Sequence, residues 1–347
     1  MNFYWTVEHI LPYQRHFNFI NAERNVGKTY NTLKYFFKRY LKYKEEFVYI
    51  VRTQDEVKNN KIGKATKKVL QNEYPDILTE SKNGVLYQVI TDNNGKIVEK
   101  IVMGYCIALS SAEKIKLESF PNVKWIIFDE YMKEKEGVTR YVNGFKEPDL
   151  FLSIYHTIDR EEDKVICFLL GNNTSFYNPY HLHKAFNIPK VEKGNIWTSK
   201  NVLFENYSPS EEFKEKRKQN KFIEMIEGTS YGNYAEKGEY KDDNYNFIGK
   251  RTKNAKYIFA IKYLDKYYGI WQDISIGKIF ISEKYNEQSK LIFALTLDSH
   301  TENTLLTKTS NNVYLKWLAK NFNYCNVLWE SMELKAEGEG MLALLIK

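Results

Sequence analysis

The chain contains 347 residues, of which 43% are apolar and 27% are charged, and its formal net charge is +7. This length exceeds one typical core and predicts two domains. No window approaches about twenty continuous apolar residues, so the sequence predicts a soluble, cytosolic protein. Cys106, Cys167 and Cys325 lack metal-ligand spacing and indicate neither a disulfide framework nor a zinc site, and we expect all three to be buried.

The first motif, Gly27-Lys28-Thr29, lies between a predicted strand at residues 17–22 and a predicted helix at residues 28–43. Gly27 would let the backbone approach phosphate oxygens, Lys28 would neutralise the β- and γ-phosphates, and Thr29 would hold Mg²⁺ through its hydroxyl. The segment therefore favours a nucleotide triphosphatase. A surface turn that caps a helix would contain the same three residues.

The candidate phosphate loop, residues 22–29, lacks one glycine of the usual pattern. That pattern is Gly, four residues and Gly-Lys-Ser/Thr, and Ala22 occupies the first glycine position. Alanine reaches left-handed backbone angles only at some cost. A second motif is therefore needed to distinguish a phosphate loop from a helix cap.

The next segments alternate between strand and helix patterns. A strand is predicted at residues 46–52 and a polar helix at residues 55–73. Alternation of this kind predicts a parallel sheet covered by helices. Residues 84–90 and 96–102 flank an Asp-Asn-Asn-Gly turn and predict an antiparallel hairpin, either inserted into the sheet or at its edge.

The second motif is an apolar run at residues 124–128 that ends in Asp129 and Glu130. Such a run is typical of a strand buried on both faces of a parallel sheet. Beside a phosphate loop, Asp129 would bind Mg²⁺ and Glu130 would act as general base on the attacking water. A strand that ends in a polar turn would look the same, but the order of the two motifs favours an ATPase site.

Two further candidates flank the next predicted strand, residues 164–170. Asn172 follows this strand, where a polar side chain can sense the γ-phosphate, although a simple Gly-Asn-Asn turn is the alternative. Arg160 precedes the strand and could reach the γ-phosphate of a neighbouring subunit in a ring. A solvated arginine among acidic residues is the simpler interpretation of Arg160.

The composition changes after residue 207. Residues 208–245 predict a helical linker that contains a basic amphipathic helix at 213–223 and a stretch without apolar periodicity at 231–243. Residues 246–347 predict an α+β domain. Its predicted strands are 257–261, 267–271 and 278–282, and its predicted helices are 311–322 and 325–336.

A basic cluster lies at the start of this last domain. It contains Lys250, Arg251, Lys253 and Lys256 with no acidic residue between them. Together with the net positive charge, the cluster predicts contact with nucleic-acid phosphates. A solvated strand edge is the alternative.

The order of these motifs resembles that of the DNA-packaging ATPases, terminase-like encapsidation proteins, of small protein-primed tailed phages. The similar segments are residues 23–29, 47–52, 120–130, 160–173, 226–232 and 247–251. The resemblance implies an additional-strand P-loop ATPase domain with a parallel-dominated sheet at residues 1–207. It also implies a ribonuclease-H-like, vestigial nuclease domain that binds nucleic acid at residues 246–347, after the linker at 208–245.

The resemblance further implies an ATP-driven, Mg²⁺-dependent motor that translocates double-stranded viral DNA into a preformed capsid. We expect a homomeric ring, a pentamer on the capsid and a monomer in isolation, docked at the portal (connector) in the host cytoplasm. Members of this family also work with a packaging RNA, and no membrane partner is implied.

Site residues carry over onto matching positions. Lys28 and Thr29 would bind phosphate and Mg²⁺, Glu130 would be the catalytic carboxylate, and Arg160 would be the arginine finger acting in trans. Arg24 would lie within the phosphate loop. Together with the motifs above, the predicted nucleotide-binding residues are Arg24, Asn25, Val26, Gly27, Lys28, Thr29, Tyr30 and Asn172, and the predicted metal-binding pair is Thr29 and Asp129.

The sequence departs from the family at several places. Ala22 and Asn25 replace glycines, and Gln54 stands near an expected lysine, so we assign it no nucleotide role. The candidate carboxylates of the last domain, Asp265, Asp273 and Asp298, do not form the pairs needed for two-metal cleavage, so we expect no nuclease activity. Two other classes stay open, a nucleic-acid-binding scaffold with a degenerate loop and a small-molecule P-loop kinase.

Overall fold

The computed structural model describes residues 3–133, 141–142, 144–229, 232, 240, 243 and 245–346. Its contacts divide the chain into two compact units, Met1–Asp243 and Asn244–Lys347. Most of the predicted linker stretch 231–243 lies outside the described residues.

The first unit is built around one large sheet. Its described elements are β1 Phe17–Asn21, α1 Lys28–Tyr43, β2 Glu46–Val51, α2 Gln54–Lys58, α3 Lys61–Glu73, β3 Thr79–Lys82, β4 Val85–Thr91, β5 Ile97–Ala108, β6 Val123–Asp129, α4 Glu147–Asp159, β7 Ile166–Gly171, α5 Pro179–Leu182, β8 Ile196–Thr198, β9 Val202–Asn206, α6 Glu211–Lys218 and α7 Lys221–Ile226. The strand order is β3-β4-β5-β2-β6-β7-β1-β9-β8. The six neighbouring strands β5, β2, β6, β7, β1 and β9 run parallel to one another. At the two edges, β3, β4 and β8 pair antiparallel.

Helices cover both faces of this sheet, which explains its continuous apolar strands. Every residue of β2 is buried, as expected for a strand with a helical layer on each side. On one face, Phe36 and Phe37 of α1 pack with Val69 of α3, and on the other Phe151 and Ile154 of α4 pack with the sheet. The predicted parallel-dominated, helix-covered sheet is confirmed.

The strand order positions the polar ends of three strands together. Strand β7 lies between β1, which leads into residues 22–29, and β6, which ends at Asp129. This inserted strand defines the predicted additional-strand class. Because the three strands are parallel, their carboxyl ends lie at one edge of the sheet, where such folds bind ligands.

Some predicted elements have different boundaries. The helix predicted at 55–73 is two helices, because Asn60 takes a left-handed φ of 54° and caps α3 by accepting from Gly63 N. The helix predicted at 213–223 is also broken, since the Asn220 side chain caps α7. The helix predicted at 325–336 begins only at Met332, because a short strand, Val327–Trp329, occupies the first half of the predicted range. Cys325 is exposed rather than buried.

The second unit contains a mixed six-stranded sheet. Its described elements are β10 Lys256–Tyr263, β11 Lys266–Asp273, β12 Lys278–Ser282, β13 Ile292–Ala294, β14 Leu305–Leu306, α8 Val313–Asn323, β15 Val327–Trp329 and α9 Met332–Ile346. The predicted meander β10-β11-β12 is antiparallel, while β13 joins β10 and β15 joins β12 in parallel. Leu315 of α8 and Leu334 of α9 pack with the sheet, in agreement with the predicted α+β class.

Across the residues that the structure describes, we find no helix with the length and apolar character needed to cross a bilayer.

Candidate nucleotide-binding and hydrolysis site

The phosphate loop connects β1 to α1 and takes left-handed angles at two positions. Asn25 has a φ of 65° and Gly27 has a φ of 88°. Asparagine tolerates this region better than most residues, and at Gly27 a side chain would also approach Tyr4, whose Cβ lies 3.2 Å from the added Cβ. Ala22 has no left-handed angle, and its N–H bonds Gly171 O at 3.2 Å as part of the strand pairing. The missing glycine therefore leaves the loop geometry intact.

Lys28 lies inside this loop and is 7% exposed. Its Nζ donates to the carbonyl oxygens of Ala22 at 3.3 Å and Glu23 at 3.0 Å, and to Asn172 Oδ1 at 3.3 Å. Burial lowers the pKa of Lys28 to about 8, while the negative charges of Asp129 and Glu23 act in the opposite direction. The structure thus brings the predicted sensor Asn172 into contact with the predicted phosphate ligand.

Thr29 and Asp129 form the second part of the site. Thr29 Oγ1 donates to Asp129 Oδ2 at 2.9 Å. Burial raises the pKa of Asp129, and the hydrogen bond from Thr29 and the charge of Lys28 partly offset that rise. A hydroxyl oxygen beside a carboxylate fits Mg²⁺, which takes one or two protein oxygens and completes its shell with phosphate and water.

Glu130 occupies the turn after β6 with a left-handed φ of 58°. Its N–H donates to Asp129 Oδ1 at 3.1 Å, and its own carboxylate is exposed towards the pocket. Because of this backbone conformation, the two adjacent carboxylates lie in different surroundings. Asp129 faces the loop, and Glu130 remains accessible to water.

Arg52 holds this turn in place, and sequence analysis assigned it no role. Its guanidinium donates to the carbonyl oxygens of Glu130 at 2.8 Å and Tyr131 at 2.6 Å. It also pairs with Glu147 at 3.0 Å, and the two side chains are 6% and 0% exposed. The one available signal was an arginine directly after the apolar strand β2.

The pocket around these residues has a volume of about 850 Å³, within the range of small-molecule sites. All predicted nucleotide-binding residues from Arg24 to Tyr30 line it, with Asn172. It also includes residues that no motif indicated, namely Tyr4, Asn31, Lys34, Lys68, Asn72 and Glu73. Tyr30 Oη donates to Glu73 at 2.8 Å and Lys34 pairs with the same carboxylate at 2.7 Å, which joins α1 to α3 at the pocket wall.

Arg160 is not brought to this pocket. It ends α4 with a φ of 52°, and its Nη2 donates to Glu118 O at 2.9 Å. Val165 N, just before β7, bonds Asp159 Oδ1 at 3.0 Å, so Arg160 lies at the amino end of β7. Asn172 follows the other end, about 20 Å away along the strand. Arg160 therefore cannot reach the nucleotide pocket of its own subunit.

The basic cluster of the second unit divides into two kinds of residue. Lys250, Lys253 and Lys256 are exposed. The Arg251 guanidinium stacks over the Trp271 ring at 3.8 Å and pairs with Glu330 at 3.4 Å. The three lysines are available to a polyanion, whereas Arg251 is engaged within its own unit.

A candidate phosphate loop after β1 and a carboxylate pair at the end of β6, with β7 between these two strands, are the arrangement of an additional-strand P-loop nucleotide triphosphatase. The sequence profile of the family described as podovirus DNA encapsidation protein (Gp16) matches residues 1–338, and the chain belongs to this family. The chain is therefore a phage DNA-packaging ATPase, as the resemblance predicted.

Individual relatives agree with this assignment. The chain is 30% identical to the DNA packaging protein of Bacillus phage phi29 over 322 residues, which cover 92% of this chain and 91% of that protein. It is 28% identical to the DNA packaging protein of Bacillus phage B103 over 333 residues, 96% of this chain and 98% of that protein. Its structure is similar to a chain of the bacteriophage phi29 viral genome packaging motor assembly, with a TM-score of 0.72, 27% identity and coverage of 99% and 100%.

Nucleotide affinity should fall as pH rises through the pKa of Lys28. Since that pKa is about 8, the ammonium is charged below pH 8 and loses its proton above it. If only the charged form binds phosphate, the Kd of a non-hydrolysable ATP analogue should rise about fivefold between pH 8 and pH 9. Fluorescence titration measures this. Lys28→Arg, which keeps its charge, should have a flat profile, and a flat wild-type profile would contradict the assignment.

Replacing Arg52 should damage both stability and turnover. Arg52→Met leaves Glu147 buried without its cation, so we expect unfolding free energy to fall by about 3–5 kcal/mol in denaturant titrations. The double variant Arg52→Met/Glu147→Met removes the stranded charge and should regain much of this stability. Its kcat should stay low, because the carbonyl oxygens after Asp129 still lack their donor. Recovery of kcat in the double variant would argue against a positioning role.

Proposed function

We propose that this chain is the ATP-hydrolysing subunit of a homomeric ring that drives double-stranded viral DNA through the portal of a preformed capsid. The observation that carries the proposal is the meeting of Lys28, Thr29, Asp129 and Glu130 at one edge of the sheet in a DNA encapsidation protein. These groups supply phosphate binding, metal binding and proton transfer in one pocket.

Hydrolysis follows from the positions of these side chains. Lys28 neutralises the β- and γ-phosphates, and Asn172, whose Oδ1 accepts from Lys28 Nζ at 3.3 Å, would sense the γ-phosphate. Thr29 and Asp129 would hold Mg²⁺, which supplies further charge neutralisation. Glu130 accepts a proton from water as the water oxygen bonds to the γ-phosphorus. The bond to the β–γ bridging oxygen breaks, and ADP and inorganic phosphate leave.

Arg160 completes the site of a neighbouring subunit. It lies at the amino edge of the sheet, while its own pocket opens at the carboxyl edge. In a head-to-tail ring, different surfaces of adjacent subunits meet, so one subunit's amino edge can face the next subunit's pocket. An arginine placed there would stabilise the charge that develops on the γ-phosphate.

The second unit contacts nucleic acid without cutting it. The exposed Lys250, Lys253 and Lys256 suit phosphate contacts, which depend on charge rather than base sequence. Asp273 accepts hydrogen bonds from Thr252 and Ser275, so its carboxylate serves a turn. This engagement supports a non-nucleolytic domain.

The proposed partners are double-stranded DNA and a packaging RNA, whose phosphates suit a chain of net charge +7, and the portal. We propose a pentameric ring at the portal vertex in the host cytoplasm, with a monomer in isolation. Such assembly would confine full activity to the capsid. A small-molecule kinase would need none of these partners, and a nucleic-acid-binding scaffold with an inactive loop would bind DNA without ATP turnover.

ATP hydrolysis by the full chain, measured with and without double-stranded DNA and with portal-bearing capsids, separates the three classes. DNA-stimulated hydrolysis is the expected result for the motor. Phosphate transfer to a small acceptor without DNA would indicate the kinase, and binding of DNA without turnover would indicate the scaffold.

Glu130→Gln should bind ATP with a Kd within about twofold of wild type but lose about 10²–10⁴-fold in kcat, because the water loses its general base. Equilibrium titration and phosphate release measure the two quantities. Lys28→Ala is the contrasting variant, since it should lose affinity itself. Wild-type hydrolysis by Glu130→Gln would show that another group is the base.

Mixed rings test the trans position of Arg160. Arg160→Ala keeps an intact pocket, and Glu130→Gln keeps an intact Arg160. An equal mixture should therefore contain complete sites in about a quarter of its interfaces, and capsid-bound hydrolysis should recover accordingly. Lys28→Ala mixed with Glu130→Gln is the control, because both changes affect the same subunit's pocket. Absence of recovery in the first mixture would contradict the trans role.

A further inference from the structure

Glu23 carries a buried charge within the phosphate loop. Its side chain is 1% exposed, and its carboxylate pairs with Lys193 and with Arg217 Nη1, the latter at 3.1 Å. A buried carboxylate is stable only when it is paired, so these two cations are needed where they lie. The main-chain oxygen of the same residue accepts from Lys28 Nζ at 3.0 Å. One residue thus connects the two cations to the phosphate-binding lysine.

The two cations come from separate parts of the chain. Lys193 precedes β8, and Arg217 lies on α6, the first helix after the sheet, where its side chain is 12% exposed. Helix α6 also contacts the N-terminal segment through Phe213, whose ring centroid lies 5.1 Å from that of Phe3. The segment is joined to the loop, since Trp5 N donates to Val26 O at 3.0 Å. Helix α6 is therefore attached to the phosphate loop by two routes.

We propose that Lys193 and Arg217 are positioning residues for the nucleotide site. They hold Glu23, and through its carbonyl oxygen they hold Lys28 where the phosphates bind. Because Arg217 belongs to α6, nucleotide affinity depends on the position of that helix. The dependence is reciprocal, so nucleotide binding also favours one position of α6.

This inference rests on the nucleotide site of the proposed function and adds a control element to it. Helix α6 lies in the chain between the last strand of the ATPase sheet and the second unit. A displacement of α6 would loosen the hold on Lys28, and nucleotide affinity would fall.

The competing explanation is that the ion pairs of Glu23 have a purely structural role, here called a staple. In that case the ion pairs would attach α6 to the core and affect unfolding alone. A positioning role predicts a change in nucleotide binding as well. It also predicts that the loss appears in KM rather than kcat, since Lys28 binds the phosphates both before and during reaction.

The test compares Arg217→Gln with Lys218→Gln in the full chain. Lys218 is exposed on the same helix, so its replacement removes the same charge without touching Glu23. We expect the Kd of a non-hydrolysable ATP analogue with Mg²⁺ to rise about tenfold in Arg217→Gln, to stay within about twofold in Lys218→Gln, and to recover largely in Arg217→Lys. Wild-type affinity in Arg217→Gln together with a lower Tm would overturn the inference in favour of the staple.

A double-mutant cycle guards against simple misfolding. If Arg217 acts through Glu23, adding Arg217→Gln to Glu23→Gln should weaken binding by less than about twofold further, whereas multiplied losses would count against the route. Binding by the isolated chain needs neither DNA nor a ring. Failure of the wild type to bind ATP would refute the proposed function, while normal binding in wild type and Arg217→Gln would refute this inference alone.

Discussion

A buried ammonium group organises the nucleotide site. Lys28 is almost removed from water, and burial lowers its pKa, so the surrounding oxygens must supply what water would have supplied. The carbonyl oxygens of the loop and the amide of Asn172 do this at 3.0–3.3 Å. A site that holds its cation in this way is already arranged for phosphate, whose negative charge would restore the full charge of the lysine.

The parallel strand order brings the other groups to this cation. Asp129 and Asn172 lie beside Lys28 because β6 and β7 end at the same edge as β1. The turn after Asp129 then needs support of its own, because Glu130 takes a left-handed φ of 58° there. Arg52 provides it by binding the carbonyl oxygens of the turn while Glu147 balances its charge. The cation of the loop and the cation of the turn thus stabilise the same carboxylate-rich edge.

Local patterns predicted the class of the fold and the central motifs, because strand burial, helix periodicity and phosphate binding depend on neighbours in sequence. They did not predict the break at Asn60, where the side chain accepts a hydrogen bond from Gly63 N and caps a new helix. They also did not predict the strand at Val327–Trp329, which is stabilised by pairing with β12. Arg52 and Glu23 were missed for another reason. Their partners are distant in sequence: Glu147 is 95 residues from Arg52, and Arg217 is 194 residues from Glu23. No local sequence pattern contains both partners of such a pair.

The position of Ala22 has a consequence for how phosphate loops are recognised. Its N–H continues the hydrogen bonding of β1, so the curved part of the loop begins after it. Only Asn25 and Gly27 turn the chain through angles that ordinary side chains avoid. A motif search that requires a glycine at the first position would miss this chain. Its backbone needs no glycine there, because Ala22 takes no left-handed angle. Backbone torsion angles therefore identify this phosphate loop better than its sequence motif does.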